Sequence, residues 1–451
     1  MIWWLYELVF WPALILAGPY YLLRMWRRGG YAEGFLERFG VFNRARQERL
    51  RGLRPVWIHA VSVGEVDVAV QLIEKLRQEP AAPPMVLSTT TSTGHAVAAR
   101  KLSPAVPLFY FPLDSRFCFA RTHRLLRPRA LILVEAELWP NQLHFCREEG
   151  VPLILVNARL SPRSFPRYRR FRWLLGPVFR SFRLVTVQTD EDVARLAELG
   201  FASAALNVVG SLKYDAAQGT DTERRARLMA DLAAFGARPF WVAGSTHPGE
   251  EEILLEIYLR AREHHPDLVL ALAPRHAERS SQIERLLRRR GLSYVLRTNL
   301  EHNTGPLAAE AGGKPEVLLL NTTGELKYLY EHAALIFIGK SLVGHGGQNP
   351  IEPAALGKAV ILGPHMENFP AIVGDFLSAG AAIQVRDGGD LGTTTLRLLG
   401  DRQAREELGA RAAALVRGKR GAVDRTVQAI GRLLREVSPR QNADPGWIKA
   451  C

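Results

Sequence analysis

Three carboxylates and a lysine stand out because each follows an apolar run. Glu65 closes the stretch VWIHAVSVGE, Glu135 and Glu137 follow ALILV, and Lys213 follows NVVGSL. A carboxylate at the mouth of a strand-to-helix turn can take a proton from a hydroxyl. It can equally cap the helix, and Ser62 with Glu65 spells a capping box, so at Glu65 both roles stand together. Glu135 and Glu137 come directly after a run that reads as buried. An unpaired carboxylate is costly there, so these groups are either bonded to neighbouring loops or used. Lys213 is either a solvated linker lysine or a cation brought to the same edge.

The second set suits an anion. In AALIFIGKSLVGHGGQNPIEPAALGK (333–358) an apolar strand runs through a glycine loop into a helix. Asn349 is placed to cap that helix, Pro350 to fill its first position and Glu352 its third. This order presents backbone N–H groups and a positive dipole end to a phosphate. GSTHPGEEE opens another helix with Ser245 or Thr246 as cap. LVLALAPRHAER sets Pro274 and Arg275 at a strand end, and LLNTTGELKYLY sets Thr323, Gly324 and Glu325 after the next run. Arginine there can grip a phosphate through two parallel N–H bonds. His247, His276 and His345 each read as packing or surface residues, and no clustered Asp, His and Cys calls for a metal.

The elements that must carry these residues alternate. Apolar runs at 56–61, 85–90, 130–134, 152–156, 184–188 and 207–209 read as strands with helical stretches between them. A polar stretch follows, and the pattern restarts at 241–243, 268–272, 293–296, 317–320, 334–338, 359–362 and 381–385. Alternating strands and helices give parallel sheets covered on both faces, hence two α/β, Rossmann-like domains facing across a cleft. The boundaries read as 1–28, an N-terminal domain 29–215, a linker 216–238, a second domain 239–410, and C-terminal helices and tail 411–451.

The 451 residues carry a formal net charge of +14, which favours an anionic partner such as a membrane surface or a phosphorylated substrate. No interleaved aromatic and basic motif appears, so nucleic acid is not expected. Three cysteines, none in a CxxC, point to a reducing compartment. The stretch 2–26 is rich in Trp, Leu, Tyr and Phe, and Arg24, Arg27 and Arg28 follow it. It reads as a retained membrane-anchor helix, either spanning or lying in the interface, with the rest of the chain cytoplasmic by the positive-inside rule.

HAVSVGE, STTTSTG, EAELWPN, NARLS, GSLKYD, GSTHPGEEE, APRHAER, TTGEL, SLVGHGGQNPIEPA and GPHMENF occur here in one order. In that order they resemble the motif set of the Kdo (3-deoxy-D-manno-octulosonic acid) transferases, membrane-associated enzymes of lipopolysaccharide assembly. The resemblance implies the glycosyltransferase B fold, with an N-terminal acceptor domain and a C-terminal domain binding CMP-Kdo. It implies inverting transfer of Kdo to the lipid A precursor without a metal or other cofactor, at the cytoplasmic side of the inner membrane beside anionic lipids. Glu65 then matches the general base, and Glu135 and Lys213 match positions that stabilise the transition state. Pro274, Arg275, Thr323, Gly324, Glu325, Asn349, Pro350, Ile351 and Glu352 match CMP-binding positions. Lys340, Gln348 and Ala136 depart from the family's usual residues. A UDP-sugar transferase or epimerase of the same fold, or a non-catalytic basic membrane protein, are the alternatives.

Overall fold

The computed structural model describes residues 2–28, 34–80, 82–135, 138–160, 164–215, 222–301 and 315–437. The chain forms two compact units, one of residues 1–216 and 420–451 and the other of 217–419.

The first unit is built on a seven-stranded parallel sheet: β1 (Val56–Ala60), β2 (Met85–Thr89), β3 (Leu108–Tyr110), β4 (Ala130–Val134), β5 (Leu153–Ala158), β6 (Phe182–Val187) and β7 (Leu206–Val208). Their order across the sheet is β3-β2-β1-β4-β5-β6-β7, which reverses direction at β1 and so places a switch point between β1 and β4. Alternate side chains of β1 serve two cores: Val56, Ile58 and Ala60 pack on one face and Trp57 on the other. β3 was not expected from the sequence, because its three residues lie between Pro107 and Pro112 and read as loop.

Four helices from the first part of this unit matter below. α1 spans Ile2–Arg28, α2 Val63–Leu76, α3 Arg116–Leu126 and α4 Pro140–Glu148. Among the described residues no helix is long and apolar enough to cross a membrane, so the expected anchor is not supported as a span. Glu7 holds α1 to its own unit by accepting from Ser115 Oγ, from Asn141 Nδ2 and, at 3.1 Å, from the Arg116 N–H at the start of α3. Tyr6 donates to Asp114 Oδ2 at 2.8 Å. The opposite side of α1 leaves Leu8, Val9, Ile15, Leu16 and Tyr20 exposed.

The second unit has seven parallel strands: β8 (Phe240–Thr246), β9 (Val269–Pro274), β10 (Tyr294–Leu296), β11 (Val317–Leu319), β12 (Ala333–Ile338), β13 (Val360–Leu362) and β14 (Ile383–Gln384), in the order β10-β11-β9-β8-β12-β13-β14. Part of the stretch expected to link the domains is helix α5 (Thr222–Leu232), whose Leu228 and Leu232 are buried within this unit. α6 (Glu250–Arg262), α7 (Ile351–Ala355) and α8 (Arg402–Lys419) complete the parts used here. The chain then returns: α9 (Ala422–Val437) packs on the first unit, where Val423, Val427 and Ile430 join the core of α2 and β1.

Candidate functional site

In the first unit the charged residues singled out from the sequence sit at carboxyl ends of strands. Ser62 caps α2, and Glu65 answers it: Oε2 accepts from the Val61 N–H at 2.8 Å and Oε1 from Ser62 Oγ at 2.8 Å. Ser62 Oγ accepts in turn from the Glu65 N–H at 3.4 Å, a reciprocal cap in which the carboxylate takes the N–H one residue before the cap position, and it fixes the Glu65 carboxylate beside the end of β1 with 7% of the residue exposed. Glu135 directly follows β4 and Lys213 lies in the turn after β7. The structure joins them, Lys213 Nζ standing 2.9 Å from Glu135 Oε1 with both side chains largely covered. Glu137 lies outside the described residues.

Asn157, at the end of β5, completes this cluster. Its Nδ2 donates to Glu135 Oε1 at 3.3 Å, and its Oδ1 accepts from the Leu212 N–H at 3.3 Å and from Gln188 Nε2 at 3.1 Å. One buried amide thus ties Glu135 to the residue preceding Lys213. Glu135 and Asn157 both have left-handed backbone, at φ 62° and 55°. Such strain in non-glycine residues collects at functional sites. The sequence did show Asn157, as the first polar residue after the run LILV, but nothing local told where its side chain would reach.

His59, within β1, is fully buried and stacks on Phe111 with ring centroids 3.5 Å apart. Its Nδ1 lies 3.0 Å from the Ser88 carbonyl oxygen, so the neutral ring carries its proton there. Burial pushes the imidazole down to about 3, against a weaker upward pull from Ser88. It is a core residue and no proton donor at neutral pH.

In the second unit the anion set is organised by a residue that the sequence reading passed over. Glu250 is fully buried at the start of α6, and its carboxylate takes four backbone N–H groups. Oε2 accepts from His247 at 2.9 Å and Lys340 at 2.8 Å, and Oε1 from Ser341 and Leu342 at 3.0 Å each. The amides of 340–342, expected to face a phosphate, are thus spent on an internal anion. Ser245 and Thr246 do not cap α6 as expected. Gly249 does, and Thr246 donates instead to Glu251, which also holds Arg279 through two bonds of 2.8 and 3.1 Å. Loop packing is tight: a Cβ on Gly363 would come within 2.1 Å of the Ser341 carbonyl oxygen.

The remaining predicted residues divide into exposed and buried. Arg275 follows β9 with its N–H on the Thr246 carbonyl; its guanidinium is exposed and, among the described residues, joined to no carboxylate. Pro274 ends β9, and Thr323 and Gly324 form an exposed turn after β11. Glu325 is buried and turned inward, paired with the buried Arg297 at 3.1 Å, and Arg297 in turn meets Asp231 at 2.9 Å. Its carboxylate therefore holds the turn from within. Asn349 does not hold the cap position expected of it: Pro350 does, and Asn349, one residue earlier, forms a tight turn in which Oδ1 accepts from the Ile351 N–H at 3.1 Å. Ile351 is fully buried and Glu352 exposed in the first turn of α7. One further group comes together here: His345, His365 and Glu367, whose ligand-type atoms all lie within 4.8 Å of one another. Glu367 is held down at about 2, first by its own backbone N–H and then by His345.

A family model described as 3-deoxy-D-manno-octulosonic-acid transferase matches residues 33–216. A 3-deoxy-D-manno-octulosonic acid transferase of Haemophilus influenzae is 32% identical over 401 residues, covering 89% of this chain and 91% of its own. The chain belongs to the Kdo transferase family. The corresponding protein of Bordetella pertussis is 34% identical over 426 residues, 91% of this chain and 96% of the relative. As a Kdo transferase the chain is a glycosyltransferase. Its fold is shared with a UDP-GlcNAc 2-epimerase of Neisseria meningitidis, at TM-score 0.57 and 13% identity over 84% of this chain and all of the other. At that identity the likeness speaks for two Rossmann-like halves of the glycosyltransferase B kind and for nothing about ligands.

Proposed function

We propose that this chain moves Kdo from CMP-Kdo to a lipid A precursor, with inversion and with no metal in the transfer step. The observation that carries this reading is positional. Each motif residue follows the carboxyl end of a strand in its own sheet: Glu65 after β1, Glu135 after β4, Lys213 after β7, Arg275 after β9, Thr323 and Gly324 after β11, and Asn349 after β12. That edge is where α/β sheets bind ligands.

In this reading the acceptor hydroxyl oxygen attacks the anomeric carbon as the bond from that carbon to the phosphate oxygen breaks. The hydroxyl proton passes to the Glu65 carboxylate. Capping and proton acceptance are compatible, because each carboxylate oxygen carries two lone pairs. CMP departs with the bonding pair, and Arg275 meets the charge gathering on its phosphate. The pair Glu135–Lys213, held by Asn157, supplies a fixed dipole near the reacting sugar. α1 rests in the membrane interface with its Leu8, Ile15 and Leu16 side toward the lipid, on the cytoplasmic side of the inner membrane. Its exposed apolar side and the chain's +14 charge support this placement.

Glu65→Gln tests the base. With CMP-Kdo and the acceptor in detergent, turnover should fall by roughly 10²–10⁴-fold while CMP binding holds. Near-native turnover would remove Glu65 from that role. CMP, and not UDP, should raise the melting temperature; the reverse order would favour a UDP-sugar enzyme. Replacing Ile15 and Leu16 together by Asp should abolish sedimentation with anionic vesicles. If the variant still sediments with them, α1 is not what binds the membrane.

A further inference from the structure

Two loops of the second unit meet beyond the ends of β12 and β13. His345 comes from the first, and His365 and Glu367 come from the second. Glu367 Oε1 lies 3.1 Å from His345 Nδ1 and 3.4 Å from His365 Nδ1, and the two imidazole rings stand 4.1 Å apart between centroids. A tetrahedral zinc ion with bonds of about 2.0–2.1 Å has its ligand atoms roughly 3.3–3.4 Å apart. The two edges that meet at Glu367 Oε1 are therefore already close to that length, and the ligand-type atoms of the two histidines lie within 4.8 Å of each other.

The backbone under these side chains is fixed. The Gly346 N–H donates to Glu367 Oε2 at 2.7 Å, the Asn368 N–H to the Gly346 carbonyl at 3.1 Å, and the His365 N–H to the Ser341 carbonyl at 2.9 Å. Gly346 has φ 111°, and a Cβ there would come within 2.5 Å of the Asn368 side chain, so the two loops close only around glycine. The bond from Gly346 orients the carboxylate in the way that outer-shell partners orient metal ligands. Two nitrogens and one oxygen suit a borderline dication and not magnesium or calcium, which take oxygen ligands. The side chains of His345 and Glu367 are 75% and 54% exposed, so an ion can reach them and coordination positions remain for water.

We infer that His345, His365 and Glu367 bind a zinc-class dication that staples the loop leading to Asn349 onto the loop after β13. The inference stands apart from the transfer reading: the ion acts on loop position and takes no part in the step. In the competing arrangement, the two rings donate Nδ1–H to one carboxylate oxygen and no metal binds.

The test uses the full chain in detergent after chelation, titrated with ZnCl₂ by calorimetry and with CoCl₂ by absorption. The site predicts one saturable ion per chain, cobalt bands of four-coordinate strength, and a higher melting temperature with zinc but not with magnesium. His345→Ala, His365→Ala and Glu367→Gln should each weaken zinc binding by at least the roughly 10–100-fold that loss of an outer-shell partner costs, while each metal-free variant still melts cooperatively. Absence of saturable binding, or equal affinity in these three variants, would overturn the assignment. So would loss of binding in a His247→Ala, His276→Ala double variant that spares the three ligands.

Discussion

Asn157 holds together a cluster whose members were each visible alone. Its left-handed backbone is tolerable for Asn, while Glu135 adopts the same region at a cost of order 1–3 kcal/mol, a strain that the surrounding bonds must over-determine. Asn157→Asp keeps that backbone tolerance and the oxygen facing Leu212 and Gln188, but it replaces a donor to Glu135 with a second anion. Turnover should fall by roughly 10²-fold with little change in donor affinity, because a small misplacement of a charged pair is enough. Native kcat in steady-state assays would free Asn157 of that duty. His59 and Asp114 make the pH argument. His59 falls from an unfolded value of 6.5 to about 3, so the unfolded chain binds the extra proton between those values; its contribution is complete above 6.5 and is lost as pH falls. Asp114 is pushed up by burial from 3.8 to about 6, so the folded chain holds that proton and stability declines as pH rises through the same window. The two slopes, about 1.4 kcal/mol per pH unit each, oppose one another between pH 4 and 6. Asp114→Asn removes one of them, so urea midpoints of the variant should drop more steeply than the parent's from pH 6 to pH 4. Parallel curves would refute the pairing.

At the scale of elements, Glu250 does for the second unit what a bound anion was expected to do. Glu250→Gln leaves one strong acceptor for four N–H groups and should cost about 2–4 kcal/mol in urea denaturation, with weaker CMP binding as loop 340–342 loosens. A cost under about 1 kcal/mol, the worth of an ordinary bond, would show that the loop holds itself. This element marks where the sequence stopped being informative. Buried parallel strands were legible because they are apolar runs between breakers, and the motif residues were legible because polar side chains end those runs. β3 was hidden by its flanking prolines. The cap of α6 was misplaced because Gly249, at φ 90°, does its work through backbone shape. Nothing near Glu250 in the chain foretells partners 90 to 92 residues away. Glu325 illustrates the same limit, since its inward turn depends on Arg297 and Asp231 from separate elements. His345, His365 and Glu367 were invisible for a related reason: two loops 20 residues apart in sequence meet only in the folded sheet.

At the scale of the whole molecule, the chain crosses from one unit to the other twice, after 216 and after 419, and its last helix belongs with its first half. The tie is local and polar at its start. The Asp215 carboxylate accepts from the Gly421 and Val423 N–H groups at 2.8 Å each, capping α9, and Arg425 donates to the Val209 carbonyl. Asp215 therefore reaches α9 from the same short turn that sends Lys213 to Glu135. Beyond the cap, Val423, Val427 and Ile430 are buried against α2, each contributing about 1.5–3 kcal/mol by burial. Asp215→Ala removes both acceptors and should cost about 1–2 kcal/mol through the lost cap alone. The loss should be confined. Hydrogen exchange should show amides of α9 and α2 opening while those of β8, β12 and α6 keep their protection, because the second unit's core lies wholly within 217–419. Equal loss of protection in both sets would mean that the end of the chain serves the second unit as much as the first.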